Sequence, residues 1–163
     1  MSVDVRGLKI TIGGKPIVSD ADMTIADGER VGLIGSSGSG KSMIAKAMLG
    51  LLPLTAVTNG SIDMGGTEII GASERALADL RGRYVGAVFQ NPAASLNPVM
   101  TVGAQIMEVL KIHHPEQSTA QLEARVDEMM ELVGIPAKRK VEYPHQFSGG
   151  MKQRVMIAIA LAC

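Results

Sequence analysis

Aromatic residues are scarce in this chain of 163 residues, which has two tyrosines, two phenylalanines and no tryptophan. Stacking platforms for single-stranded nucleic acid are therefore lacking. A surplus of charge is lacking too, because sixteen basic residues balance sixteen acidic ones. No net field draws the chain to nucleic acid or to anionic lipid. We expect the one basic run, residues 138–140, to be a solvated surface.

Cysteine is limited to Cys163, so a disulfide within the chain is excluded and a reducing compartment is favoured. Long apolar runs are missing as well. The longest spans residues 155–163, well short of the roughly 20 residues that cross a bilayer. Any role at a membrane is therefore expected to be peripheral.

Hydrophobic periodicity and turn residues predict a mixed α/β layer followed by a helical block. The predicted strands are residues 3–12, 17–25, 30–34, 60–64, 67–70 and 84–89. The predicted helices are residues 41–52, 73–81, 102–113, 119–133 and 151–162, and residues 91–98 are predicted to be loop. We therefore divide the chain into a nucleotide-binding α/β part, residues 1–90, and a helical part, residues 91–163.

A glycine-rich segment lies between the apolar strand at residues 30–34 and the helix that follows. It matches the P-loop pattern G-x-x-x-x-G-K-[ST] at every fixed position, with the residues Gly35, Ser36, Ser37, Gly38, Ser39, Gly40, Lys41 and Ser42. The glycines let backbone N–H groups point inward at a phosphate, and the helix N-terminus adds partial positive charge. Lys41 supplies a cation for the outer phosphates, and the Ser42 hydroxyl is placed to bind Mg²⁺. The segment predicts a nucleoside triphosphate site.

Two weaker features lie further along the chain. Gln90 follows the predicted strand 84–89, which would bring its amide to the carboxyl edge of the sheet. Ser148 can cap a helix, and Gly149 and Gly150 leave the first N–H groups of that helix uncovered, ahead of Met151. Each feature alone is more often a surface residue or an ordinary helix start.

Together, the P-loop, the strand ending in glutamine and the Ser-Gly-Gly-x-x-x-Arg helix start resemble the ATP-binding subunits of ABC transporters along the entire chain. The resemblance implies the fold of a P-loop NTPase: an N-terminal antiparallel layer, part of a parallel core sheet and a helical subdomain. It implies ATP and Mg²⁺ as cofactors, with Lys41 and Gln90 as catalytic residues. It also implies that Ser42 and Gln90 serve the metal, and that the signature motif, residues 148–151, contacts nucleotide.

The resemblance further implies partners. Two such domains pair head to tail, so the signature of this chain would touch nucleotide held by a second ATPase subunit. The helical part would meet membrane permease subunits, and a solute-binding protein would act indirectly. The expected place is the cytoplasmic face of the plasma membrane, with no nucleic acid partner. The sequences Phe89–Pro92, Ser95–Pro98 and Tyr143–Phe147 are similar to the dipeptide, oligopeptide and nickel importer branch.

One departure concerns the catalytic acid. Members of this family continue past the signature helix into an apolar strand ending in Asp-Glu, and residues 1–163 contain no such strand. Asp127-Glu128 lies in a polar helical pattern instead. We therefore expect a truncated chain that is deficient in hydrolysis and not comfortably stable alone. A non-catalytic fragment, or a soluble ABC ATPase acting on nucleic acid, remains an alternative. Adenine specificity rests on the resemblance, because no aromatic residue lies near Ile12.

Overall fold

The computed structural model describes residues 1–162. The chain separates into two compact units, Met1–Leu80 and Arg81–Cys163. The division that we predict between residues 90 and 91 falls inside the second unit. It stays a prediction.

An antiparallel sheet forms most of the first unit. Its strands are β1 (Val3–Ile12), β2 (Lys15–Val18), β3 (Met23–Ile25), β4 (Ala56–Met64) and β5 (Thr67–Glu68). The order is β2-β1-β4-β5, and β3 also pairs with β1. The side chains of Val5, Leu8 and Ile10 are buried. Glycine turns at residues 13–14 and 65–66, all with positive φ, separate paired strands as the sequence predicts.

A bulge interrupts the pairing of β1 with β4 between Arg6 and Lys9. Gly7 and Gly60 have φ values of 53° and 98° there. A Cβ atom added to Gly60 would lie 2.5 Å from the carbonyl oxygen of Gly7. This close approach of two backbones admits only glycine at position 60.

Two helices complete the first unit, α1 (Lys41–Met48) and α2 (Glu74–Leu80). The N–H of Ala76 donates to the Ser73 hydroxyl at 3.3 Å, so Ser73 caps α2. The first helix ends before the predicted residue 52. Gly50, with φ 62°, turns the chain out of the helix ahead of Pro53.

The core strands of a parallel sheet are not formed in the described part of the chain. Residues 30–34 and 84–89 carry no strand assignment, so both strand predictions are wrong for this structure. A single parallel bridge joins Arg81 to Val85. A strand inside a parallel sheet needs hydrogen-bonded neighbours, and no described residue supplies them to residues 30–34. Ile34 is 95% exposed as a consequence.

The strand predicted at residues 17–25 is also wrong in part. It is divided into β2 and β3, which pair with opposite ends of β1. Leu8 and Ala21 exchange two backbone hydrogen bonds, of 3.0 and 3.1 Å, so the connection between the two strands runs beside β1. The spacing of apolar residues correctly predicts strand structure in this segment, but it does not show where one strand ends and the next begins.

The second unit is helical. Its helices are α3 (Pro92–Ser95), α4 (Val102–His113), α5 (Thr119–Leu132) and α6 (Gly149–Leu161), with 3₁₀ helices at Ala137–Val141 and Pro144–Gln146. Hydroxyl groups of Thr101 and Ser118 cap α4 and α5. The loop predicted for residues 91–98 is wrong at α3, because the Asn91 side chain accepts from the N–H of Ala94 and starts a short helix.

One apolar core joins the helices of this unit. Ile106, Leu110 and Met130 are fully buried in it, and Phe147 at its edge is 4% exposed. The buried amide of Gln105 accepts from the N–H of Asn97 at 2.9 Å and donates to the carbonyl oxygens of Asn97 and Met100. Gln105 thereby fixes the loop that precedes α4.

Candidate nucleotide-binding site

The glycine-rich segment, residues 35–42, forms a curled loop that leads into α1. Gly38 and Gly40 have φ values of 81° and 89°, a left-handed conformation that side chains disfavour. A Cβ atom on Gly40 would also lie 2.9 Å from Cγ2 of Val18 and 3.0 Å from the carbonyl oxygen of Ile17. The loop packs closely against β2 at this point and admits no side chain.

Lys41, the first residue of α1, folds back over the loop. Its ammonium group donates to the carbonyl oxygens of Gly35 at 2.8 Å and Ser36 at 2.6 Å. A third bond of 3.2 Å reaches the Ser39 hydroxyl. A Cβ atom on Gly35 would lie 2.8 Å from that same hydroxyl oxygen. All three donors of the ammonium group thus hold the loop around a positive charge.

The N-terminus of α1 is left open to a ligand. Its N-cap is Gly40, which offers no side-chain hydrogen bond. The N–H groups of Met43 and Ile44 return to the carbonyl oxygen of Gly40. Within residues 1–162, no acceptor is found for the N–H groups of Gly40, Lys41 or Ser42. These free donors and the helix dipole favour an anion.

A depression of about 240 Å³ lies at this helix end, lined by Ile17 and residues 38–43. The Ser42 side chain is exposed beside it. Backbone donors and a lysine suit phosphate oxygens, and a hydroxyl oxygen is a ligand that Mg²⁺ accepts. The residues present therefore fit a nucleoside triphosphate with its Mg²⁺ ion. In the described chain, no group of three acidic, histidine or cysteine side chains is arranged to hold a metal.

Gln90 belongs to the second unit, where it is exposed at a bend. The segment before it is irregular rather than a strand, and Tyr84 and Phe89 are 63% and 41% exposed. Because residues 84–89 form no strand, the sheet edge expected for the Gln90 amide is not formed by this segment. Its role in catalysis and in metal binding stays a prediction from the family resemblance.

The signature motif opens α6, also in the second unit. The N–H of Met151 donates to the Ser148 hydroxyl at 3.4 Å, and the N–H of Lys152 donates to the Ser148 carbonyl at 2.9 Å. The predicted cap is confirmed. Gly149 and Gly150 are exposed, with open space where a Cβ atom would lie. The structure thus brings the P-loop residues together in one unit and residues 148–151 together in the other.

Sequence reasoning missed Arg139. We expected residues 138–140 to be a solvated surface, but Arg139 is partly buried and forms an ion pair of 2.6 Å with Glu142. Lys140 is paired with Asp127. The signal in the sequence was the spacing of Arg139 and Glu142, three residues apart, which places opposite charges on one face of a helical turn.

A family model described as "ABC transporter" matches residues 18–163. The chain is 43% identical over 167 residues to the oligopeptide transport ATP-binding protein OppD of Salmonella typhimurium, covering 99% of this chain and 50% of that protein. It is 45% identical over 150 residues to OppD of Lactococcus lactis, covering 89% and 44%. For OppD of Mycobacterium tuberculosis the identity is 42%, and the coverage is 98% and 27%. The chain thus spans half or less of each of these relatives.

The fold is shared with solved ATP-binding cassettes. One is a dimeric bacterial ABC transporter cassette, and another is a dimeric cassette in a post-hydrolysis state with ADP and Pi bound. Each has a TM-score of 0.85 and 25% identity to this chain, and the match covers 98% of this chain and 69% of the cassette. The antiparallel layer and the helical part that we predicted are confirmed as parts of this fold. None of the described helices is long and apolar enough to cross a membrane.

Proposed function

This chain belongs to the ABC transporter family, and we propose on that premise that it is the ATP-binding portion of an oligopeptide importer subunit. The observation that carries the proposal is the open N-terminus of α1. Gly40, Lys41 and Ser42, whose N–H groups have no acceptor among the described residues, line a depression to which Lys41 adds positive charge. This arrangement suits the phosphates of a nucleotide.

Each residue of the loop has a proposed part. The backbone from Gly35 to Gly40 encloses the phosphates, and Lys41 transfers its donors from the loop carbonyls to phosphate oxygens. The Ser42 hydroxyl binds the Mg²⁺ ion. When bound, Mg²⁺ neutralises charge on the phosphates and on the leaving group. Gln90 is proposed to orient the attacking water and to approach the metal.

The signature motif is proposed to act on a partner. Residues 148–151 present a capped but uncovered helix end, which can donate to nucleotide held by a second ATP-binding subunit in a head-to-tail pair. The dimeric state of the similar solved cassettes supports this pairing. We propose residues 1–90 as the nucleotide-binding part and residues 91–163 as the helical part that meets membrane permease subunits.

Oligopeptide is the proposed solute class, because the curated relatives are oligopeptide transport proteins. A solute-binding protein would deliver the peptide to the permease, and the subunit would lie on the cytoplasmic face of the plasma membrane. Nickel is the alternative solute within the same branch. Uptake of labelled peptide and of nickel by cells with and without the gene separates the two.

Residues 1–163 contain no apolar strand ending in Asp-Glu. We therefore propose that the chain of 163 residues binds MgATP but does not hydrolyse it, since a general base for the attacking water is not supplied. Calorimetric titration with MgATP tests binding, and phosphate release tests hydrolysis. Heat of binding that is lost in Ser42→Ala, without phosphate release, is the expected result. The absence of binding to the folded parent chain would reject the proposal.

A further inference from the structure

The side chain of Arg139 joins several groups that surround the start of α6. It leaves the 3₁₀ helix Ala137–Val141, and its guanidinium group binds both carboxylate oxygens of Glu142. The Nε–Oε1 distance is 2.8 Å and the Nη2–Oε2 distance is 2.6 Å. The side-chain hydrogen bond to Glu142 raises the pKa of Arg139, and the bond to Arg139 lowers the pKa of Glu142. A bidentate pair of this kind fixes the plane of the guanidinium group.

The same guanidinium group reaches both sides of Ser148. Before Ser148, its central carbon lies 4.5 Å from the ring centroid of Phe147, and Nη2 donates to the carbonyl oxygen of Gln146 at 3.4 Å. After Ser148, Nη1 donates to the sulfur of Met151 at 3.5 Å. Phe147 is anchored in the apolar core. Arg139 therefore connects Met151, in the first turn of α6, to the buried residue Phe147.

A planar group is needed for this set of contacts. Lysine would keep the positive charge, but an ammonium group cannot bind Glu142 in a bidentate manner, contact the Phe147 ring and reach Met151 together. Ser148, which lies between the two sets of contacts, supplies the acceptors for the N–H groups of Met151 and Lys152. The orientation of the N-terminus of α6 thus depends on the relative positions of Phe147 and Met151.

We propose that Arg139 is a positioning residue, which holds the signature motif in the orientation that nucleotide on the partner subunit requires. The inference rests on the proposed function, and it adds a residue outside the motif. Arg139 does not touch the nucleotide itself. It acts by fixing Phe147 and Met151 on either side of Ser148, so that the donors of Gly149 and Gly150 are presented in one orientation.

The test compares Arg139→Ala and Arg139→Lys with a matched control, Arg125→Ala. Arg125 forms an ion pair of 2.6 Å with Glu128 at the same spacing of three residues, on the surface of α5. In the complete subunit assembled with its partner, we expect both Arg139 variants to lower kcat for MgATP about tenfold, equivalent to about 1.4 kcal/mol. We expect KM to change less than about twofold, and Arg125→Ala to behave like the parent.

A second readout does not depend on the proposed function. Hydrogen exchange of the complete subunit, measured without nucleotide, should be faster at the amides of Met151 and Lys152 in both Arg139 variants, and unchanged at amides of α4. If the unmodified assembly fails to hydrolyse ATP, the proposed function is rejected and the exchange result still tests the contacts of Arg139. Exchange equal to that of the parent overturns the inference. So does a normal kcat in Arg139→Lys, or faster exchange without a lower kcat.

Discussion

The ammonium nitrogen of Lys41 lies 2.8 Å from the carbonyl oxygen of Gly35, six residues earlier in the chain. The bond closes the phosphate loop on itself. Because its acceptors are carbonyl and hydroxyl oxygens without formal charge, anionic phosphate oxygens would compete well for the same donors. Lys41 therefore links the shape of the loop to the binding of phosphate.

Lys41→Ala tests this link through thermal unfolding. At MgATP one hundred times its Kd, ligand binding should stabilise the parent by about 2.7 kcal/mol, which raises Tm by several degrees. The variant should show no such increase. Lys46→Ala, which removes an exposed lysine from the same helix, is the control and should keep the full shift. An equal shift in Lys41→Ala would show that the loop binds nucleotide without this cation.

Gly40→Ala and Gly38→Ala separate backbone strain from steric conflict. Both positions have positive φ, which costs roughly 1–2 kcal/mol for alanine. Only at Gly40 does the added Cβ meet neighbours, at 2.9 Å from Val18 and 3.0 Å from Ile17, whereas Gly38 has open space. The free energy of unfolding measured in urea should therefore fall about 1 kcal/mol further in Gly40→Ala than in Gly38→Ala. Equal decreases in the free energy of unfolding would mean that β2 shifts to accommodate the added methyl group.

Ser148→Ala and Ser118→Ala form a second matched pair. Each serine caps a helix through a bond of 3.4 Å from the N–H three residues later. Each substitution should cost about 1 kcal/mol of unfolding free energy. In the assembled subunit pair, however, only Ser148→Ala should also lower the ATPase rate, because only this cap lies in the signature motif. Loss of rate in both variants would point to general destabilisation instead.

The sequence was sufficient for features that depend on local chemistry. The cap at Ser148, the α4 boundaries and the glycine turns of the antiparallel layer were all predicted, since each depends on residues that are close in the chain. The position of Lys41 at the start of α1 followed from the loop pattern, because a glycine-rich turn that ends in a helix places that residue at the helix N-terminus.

Features that depend on distant partners could not be predicted. Apolar runs such as residues 30–34 suit a buried strand, but a strand forms only where a neighbouring backbone supplies hydrogen bonds. The role of Arg139 was hidden for a similar reason. The spacing of Arg139 and Glu142 indicates their ion pair, but the contact of Arg139 with Phe147 depends on how the 3₁₀ helix Ala137–Val141 packs against α4 and α5.

Glu68, in β5, makes the stability of the first unit depend on pH. Partial desolvation of the Glu68 carboxyl group raises its pKa and is the largest single influence. Hydrogen bonds from the Ser61 hydroxyl and from the N–H groups of Ile62 and Ile70 are the main opposing influences, and the pKa lies below its ordinary value of 4.5. These bonds favour the charged carboxylate. Its contribution to stability is complete above pH 4.5 and is lost as pH falls through the lower pKa of the folded state.

Glu68→Gln should therefore destabilise the chain at pH 7, and the difference from the parent should shrink below pH 4.5. Because the side chain is exposed, the loss at pH 7 should be modest, about 1 kcal/mol or less. Urea unfolding at a series of pH values measures both quantities. Glu108→Gln, at an exposed glutamate of α4, is the control. A Glu68→Gln difference that stays constant between pH 7 and pH 3 would show that the negative charge of Glu68 contributes nothing to stability.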